Sequence, residues 1–167
     1  MIALADASAD AAAAATDPGE RARLAEHAAE ESAHIALWDR FARAVDADLD
    51  SAPTPETAAC ARAWAGYRRS YAGHRAALYA IESAQPAIAA TKAAGLRRHY
   101  DLDTPDATSY FDVHTDRDVE HAAENRELLA RHAADADPGE LVTEAGRVLR
   151  ANWTLLDGVE RALSPAA

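Results

Sequence analysis

Lysine, cysteine and bulky aromatic side chains are the scarce components of this 167-residue chain. There is one lysine, Lys92, against sixteen arginines, and one cysteine, Cys60. A single cysteine excludes an internal disulfide and agrees with a reducing compartment. Two Phe, five Tyr and three Trp supply the large rings, while 46 residues are alanine, so the 49% hydrophobic content overstates the core. Alanine has the best helix propensity and β-branched residues are few, which makes the chain helical and nearly excludes a sheet protein. No window approaches ~18 apolar residues free of charge, which excludes a membrane span. The stretch 1–15 is Ala-rich, but Asp6 and Asp10 interrupt it and no basic stretch precedes it. It does not read as a signal peptide, and the expected location is the cytoplasm. Basic charge is also short: 28 acidic against 17 basic residues give a formal charge of -11. That balance disfavours nucleic acid and anionic membrane as partners. A solvated acidic surface accounts for it, and adaptation to a saline cytoplasm is a second account.

No internal repeat or low-complexity linker divides the chain, so residues 1–167 are expected to form one helical domain. Asp17-Pro18-Gly19-Glu20 and Asp137-Pro138-Gly139-Glu140 share one helix-start logic. Asp caps, Pro suits the first turn with its missing N–H, and Glu reaches back to the cap. Thr54-Pro55-Glu56 opens another helix in the same way. The expected helices cover about 2–15, 18–47, 55–84, 86–100, 108–134 and 138–163, with Pro86 breaking the third from the fourth. Trp64, Tyr67, Tyr71, His74, Leu78 and then Ile81 or Glu82 recur at spacings of three and four, a buried helical stripe. Long helices joined by short loops pack as an up-and-down bundle.

Polar residues stand where a core is expected. His114, Asp118 and His121 are spaced i, i+4, i+7, which places two imidazoles and a carboxylate within ~60° on one helix face. They can share a cation, or they belong to a solvated face. Glu31 and His34 form a Glu-x-x-His pair of the kind found in carboxylate-bridged di-metal bundles, although such pairs also occur by chance on helix surfaces. His27 shares that face and reads as an outer contact or an exposed residue. Glu82 ends the aromatic stripe and needs a partner there: a metal, Arg75 or solvent. Taken together, Glu31, His34, Glu82, His114, Asp118 and His121 come from three helices. Imidazole plus carboxylate suits iron or manganese, and the lack of thiolate argues against structural zinc. His74 reads as a core or cavity histidine, His99 as surface, and His132 as a last-turn residue complementing the helix dipole.

These segments resemble the haem-oxygenase-like di-iron oxidase superfamily, whose fold is shared with TenA-type thiaminases and the pyrroloquinoline-quinone synthase. The run Glu26-His27-Ala28-Ala29-Glu30-Glu31 is similar to the family's Glu-Asn-Leu-x-Asp-Glu, which makes Glu31 rather than Glu30 the ligand. His34 followed by Leu37-Trp38 and Phe41 is similar to its His-x-x-Leu-Trp-x-x-Phe. The segment Leu78 to Pro86, then Lys92, Gly95-Leu96 and His99-Tyr100, resembles its Leu-Tyr-Ala-Tyr-Glu-Ser segment and the helix beyond it. Tyr110-Phe111-x-x-His114-x-x-x-Asp118-x-x-His121 resembles its last metal helix. The resemblance is to the folate-linked branch and covers about residues 20–160. Ile81 stands where that branch tends to have tyrosine, and His27 stands in place of an Asn. Only about thirty residues precede Glu31, so the chain is expected to be N-terminally short and to lack the family's first helix.

The resemblance implies a non-haem di-iron oxidase that activates dioxygen and oxidises a small organic metabolite. Its cofactors would be two iron ions, with manganese as the substitute, and O2. The expected partners are the small-molecule substrate and a second copy of the chain. Two rivals stand beside it: a cofactor-free oxidase or hydrolase on the same fold, and a non-catalytic helical binding protein without the first helix. A thiaminase reading needs a cysteine nucleophile, and Cys60 lies in no matching motif. Lys92 is the expected catalytic residue lining the cavity. It survives alone among sixteen arginines, and only lysine can become a neutral amine. With Ile81 in place of a tyrosine and the first helix lacking, the chain is not expected to convert its own tyrosine to p-aminobenzoate.

Overall fold

The computed structural model describes residues 2–66 and 69–163. Its elements are α1 (Ile2–Ala14), α2 (Pro18–Ala44), α3 (Pro55–Ala65), α4 (Tyr71–Glu82), α5 (Gln85–His99), α6 (Pro105–His132), a 3-10 turn (Ala133–Asp135) and α7 (Pro138–Leu163). The fold is the expected all-α bundle, with no strand among the described residues. None of its helices is long and apolar enough to cross a membrane.

The capping chemistry sets most boundaries. The Asp17 carboxylate accepts from the Glu20 N–H at 2.8 Å, and Thr54 accepts from Thr57 at 3.1 Å. The helix expected over 55–84 is divided. Gly66, at φ 64, ends α3 in the left-handed region that glycine adopts without strain. Ser70 then caps α4 by accepting from the Gly73 N–H at 3.0 Å. Tyr67 of the aromatic stripe lies outside the described residues. The helix expected from Thr108 starts earlier, because Thr104 caps it and Pro105 takes the first position.

α4 is the middle of the bundle, packed against α1, α6 and α7; α2 lies between α1 and α6, α5 along α6, and α3 against α7 and α1. The main core gathers Leu4, Leu24, Leu78, Ile81, Leu128 and Val148 with alanines from α1 and α4. Those alanines let helices approach closely without bulky side chains. A smaller cluster holds Ala89, Ala93 and Phe111, with Phe41, Leu96 and Tyr110 packed on it. At Gly158, a Cβ would meet the Glu56 Cβ at 2.8 Å, so α7 and α3 are in backbone-close contact there. At Gly95, a Cβ would meet nothing within 4 Å.

These two glycines give opposite expectations. Gly95→Ala should stabilise by up to about 1 kcal/mol through helix propensity. Gly158→Ala should destabilise by about 1 kcal/mol or more, because overpacking outweighs the same propensity gain. Urea midpoints of the two variants, moving in opposite directions, are the check.

Candidate metal centre

The centre lies where α2, α4 and α6 meet. Along α6 the buried positions include Phe111, His114, Asp118, His121, Asn125 and Leu128, a run of alternating three- and four-residue steps. This is the seam of a helix-packing face, and its four middle positions are polar instead of aliphatic. On α2 the buried line is Glu20, Leu24, His27 and Glu31, again at helical spacing. α4 contributes Glu82, which is 0% exposed.

Glu31 is the hub. It is 0% exposed, and its Oε1 lies 3.5 Å from His34 Nδ1, 3.7 Å from His121 Nδ1 and 3.8 Å from His27 Nε2. Its Oε2 faces His114 Nε2 at 4.0 Å. His27 Nε2 is 3.2 Å from Glu82 Oε1, and His121 Nδ1 is 3.8 Å from Asp118 Oδ1. Two triads result, His27–Glu31–His121 and Glu31–His34–His114, each with one donor atom per residue within 4.8 Å of the others, and both use Glu31. The rings of His27 and His121 sit 3.9 Å apart, and those of His34 and His114 4.7 Å apart.

The tautomers are set from outside. His114 Nδ1 lies 2.6 Å from the Tyr110 carbonyl. A carbonyl only accepts, so Nδ1 carries a proton and Nε2 is the nitrogen that faces Glu31, sharing a proton with it in the cation-free chain or offering a lone pair to a cation. His121 Nε2 lies 3.1 Å from Glu30 Oε2, and both Glu30 oxygens accept from Arg117 Nη2 at 2.7 Å. Arg117 holds the Glu30 carboxyl below its usual range against the opposing effect of burial. Ionised Glu30 therefore accepts from His121 Nε2–H, which leaves the Nδ1 lone pair facing inward. This is the outer carboxylate–histidine pairing that orients metal-binding imidazoles.

The inward-facing atoms have no hydrogen-bond partner: both Glu31 oxygens, His27 Nε2, His34 Nδ1, Glu82 Oε1, His114 Nε2 and His121 Nδ1. Each such buried group costs about 1–3 kcal/mol if left unsatisfied. Two donors at ~2.1 Å from one ion lie about 3.0 Å apart at right angles and about 4.2 Å apart when opposite. The observed separations of 3.2 to 4.0 Å fall between those limits. The residues thus fit one or two small cations of the iron or manganese kind.

Of the residues singled out in the sequence, Glu31, His34, Glu82, His114, Asp118 and His121 converge here. His34 is the most open of the four histidines, with its side chain 12% exposed. Lys92 is a correction. It is solvent-exposed on α5, and the buried face of that helix is made by Ala89 and Ala93 packed on Phe111. The structure gives it no place at the centre, so the catalytic role expected of it is dropped. His27 is a second correction. It is 4% exposed, which removes the exposed alternative, and its Nε2 lies 3.2 Å from Glu82 Oε1 within the cluster. The spacing Glu20-Leu24-His27-Glu31 carries that signal. Asn125, one turn beyond His121, is a residue the sequence patterns do not single out; its Nδ2 donates to Glu82 Oε2. Glu82 is thus held by Asn125 and His27. Arg75 is fully buried with its guanidinium nitrogens unpartnered. His74 is buried and His99 exposed, as expected. His132 occupies the last turn of α6 and also meets Glu20 at 3.0 Å, in a network with Tyr71 that ties α2 to α4 and α6.

The model of a family described as iron-containing redox enzymes matches residues 9–153. The chain belongs to that family. A protein of Nitrosomonas europaea named 4-aminobenzoate synthase is 34% identical over 137 residues, covering 77% of this chain and 55% of its own length. Proteins of the same name from Chlamydia muridarum and Chlamydia trachomatis are 32% and 31% identical, covering 68% and 74% of this chain. The chain spans about half the length of these relatives. The family match and these relatives support the resemblance to the haem-oxygenase-like di-iron oxidases of the folate-linked branch.

Electrostatics link the centre to pH. Burial disfavours the His27 imidazolium, but Glu31 and Glu82 beside it hold its pKa up at about 10. Burial, with the neighbouring Glu82 and Glu31 charges, pushes Asp118 up to about 7 against the opposing pull of His114 and His27. Both folded values lie above the ordinary 6.5 and 3.8. The stability they contribute is therefore full below the ordinary values and lost as pH rises through the folded ones. The cation-free chain should lose stability between pH 6 and 9. A bound cation takes the place of those protons, and it is in turn displaced as histidines protonate in acid. The melting-temperature difference between loaded and cation-free protein should grow from pH 5 to pH 9. A difference independent of pH would contradict histidine ligation. Glu30→Gln should keep the binding stoichiometry and weaken affinity about 10–100-fold, measured by competition with a chelator.

Proposed function

We propose that the chain is a non-haem di-iron oxidase that uses dioxygen on a small organic molecule. The observation that carries this reading is the pair of buried triads sharing the Glu31 carboxylate. Glu31, His34 and His114 would hold one ion. His121, Asp118, Glu82 and His27 would hold the second, with Glu31 common to both. The iron pair, when bound, supplies the electrons for dioxygen reduction. The chain's own part is to position and to insulate. Tyr110 O and Glu30 fix the imidazole tautomers, Asn125 orients Glu82, and the aliphatic layer of Leu24, Leu78 and Leu128 excludes bulk water.

The same observation weighs against the two rivals. A cofactor-free catalyst or a simple binding bundle would have to satisfy these buried groups by shared protons alone, a costly arrangement with no use in either rival. The relatives' name directs attention to 4-aminobenzoate as a product. Among the described residues, Tyr110 is the tyrosine whose ring touches a histidine of the centre, His114, at 4.2 Å. Position 81, on the α4 turn before Ser83, is Ile81, and our reading keeps an external substrate.

Anaerobic Fe(II) titration should saturate near two ions per chain. Glu31→Gln should abolish binding of both, and Glu82→Ala or His121→Ala should lower stoichiometry or affinity strongly. Full-strength binding in all three variants would sink the assignment. Exposure of the loaded protein to O2 should consume oxygen. Release of 4-aminobenzoate from the isolated chain under those conditions would replace the external-substrate reading with an internal tyrosine source.

A further inference from the structure

A pocket of about 240 Å³ opens between α2 and α6 on the outer side of the centre. Four carboxylates line it, Glu26, Glu30, Glu120 and Glu124, against two guanidiniums, Arg23 and Arg117. Each arginine is already engaged: Arg23 lies 3.5 Å from Glu124, and Arg117 pairs with Glu30 and Glu120. The pocket is therefore net negative. Its buried end is formed by His27 and His121, whose side chains are 3% and 7% exposed. Both carry an inward ring nitrogen with no hydrogen-bond partner. Glu30 spans the depth of the pocket, bonded to Arg117 toward solvent and to His121 at the base.

We propose that this acidic pocket is the loading route by which a hydrated divalent cation reaches the buried His27–Glu31–His121 triad. The inference rests on the metal reading of that triad. The walls are charged, so they suit a hydrated cation rather than an apolar organic molecule. The charge falls toward the base, where carboxylates give way to the His27 and His121 rings, whose unpartnered nitrogens face Glu31 in the centre beyond. A cation held in the outer carboxylates has one carboxylate, Glu30, already in contact with a ligand of the inner site. Clefts lined by one sign of charge focus the field and raise association rates by about 10–10³.

The test is stopped-flow uptake of Co(II), anaerobic, read by its visible absorbance, together with equilibrium stoichiometry. In the full chain, E26Q/E120Q/E124Q should slow association at least ten-fold at an ionic strength of about 20 mM, where the field is weakly screened. Saturation stoichiometry should stay at the wild-type value, because none of the three residues faces the triads. The difference should close at about 0.5 M salt, where the Debye length is only a few ångströms. Arg23→Gln, which leaves the pocket more acidic, should speed uptake. The exposed residues Asp6, Asp50 and Asp157 lie outside the pocket, so D6N/D50N/D157N should leave the rate within two-fold although it removes the same charge. Wild type that loads while the pocket variant loads equally fast overturns the route alone. Equal slowing by the control variant also overturns it, since net charge would then suffice. Wild type that takes up no Co(II) overturns the route and the metal reading together.

Discussion

The structure turns on one carboxylate buried among imidazoles. Glu31 is fully enclosed, and four histidines from two helices direct ring nitrogens at it. A lone carboxylate in that position is expensive, and in the cation-free chain the imidazoles offset the cost by sharing protons with it. Burial alone would raise the Glu31 carboxyl; the surrounding His114, His27 and His34 lower it instead. The same donors are those a pair of cations needs. The centre therefore has two ways to satisfy its charge, protons or metal, and folding of the α2–α4–α6 interface depends on one of them. The alanine-rich composition belongs to this design. Small side chains on α1 and α4 bring the helices close enough that short carboxylate and imidazole side chains from three of them meet.

Much of this is legible in the chain. The Asp-Pro and Thr-Pro signals mark the starts of α2, α3 and α7, although Glu20 and Glu140 accept from Tyr71 and Ser70 instead of reaching back to their caps; the polar interruption of the α6 seam points to His114, Asp118 and His121. The remainder is hidden for physical reasons. Gly66 inside a continuous three–four stripe looks like a tolerated helical glycine, and only its positive φ shows the break. Thr104-Pro105 carries the same start signal as Thr54-Pro55, but it lies inside the acidic stretch Asp101–Asp106, which reads as a turn and draws the expected boundary later. A histidine one turn from a glutamate is common on helix surfaces, which obscures His27; its burial depends on which face of α2 meets α6. Lys92 misleads for a different reason. Its rarity is a property of composition, and rarity does not determine which side of α5 faces the core.

The outer polar groups matter to the centre as much as the inner ones. Glu30 and Glu31 are adjacent, yet they have unlike tasks. Glu31 points inward among four imidazole nitrogens, whereas Glu30 is clamped by Arg117 and fixes the proton of His121. Their separation of ~100° around the helix axis is what assigns the roles. A substitution series treating the two as interchangeable acids would misread the site.

Charge balance reaches further out still. Three inner carboxylates, Glu31, Glu82 and Asp118, against two divalent cations would leave one positive charge in a low-dielectric interior. Arg75 adds another nearby, fully buried and without a hydrogen-bond acceptor. Burial lowers its pKa, while Tyr71, Glu82, Glu124 and Glu20 support its charged form. Glu20 and Glu124 are not ligands, yet each faces the centre's surroundings from a different helix. An excess of acid in the surrounding layer is thus the electrostatic counterpart of a cationic interior. The formal charge of -11, which by itself reads as mere surface solvation, includes carboxylates placed where a loaded centre and a buried arginine require them.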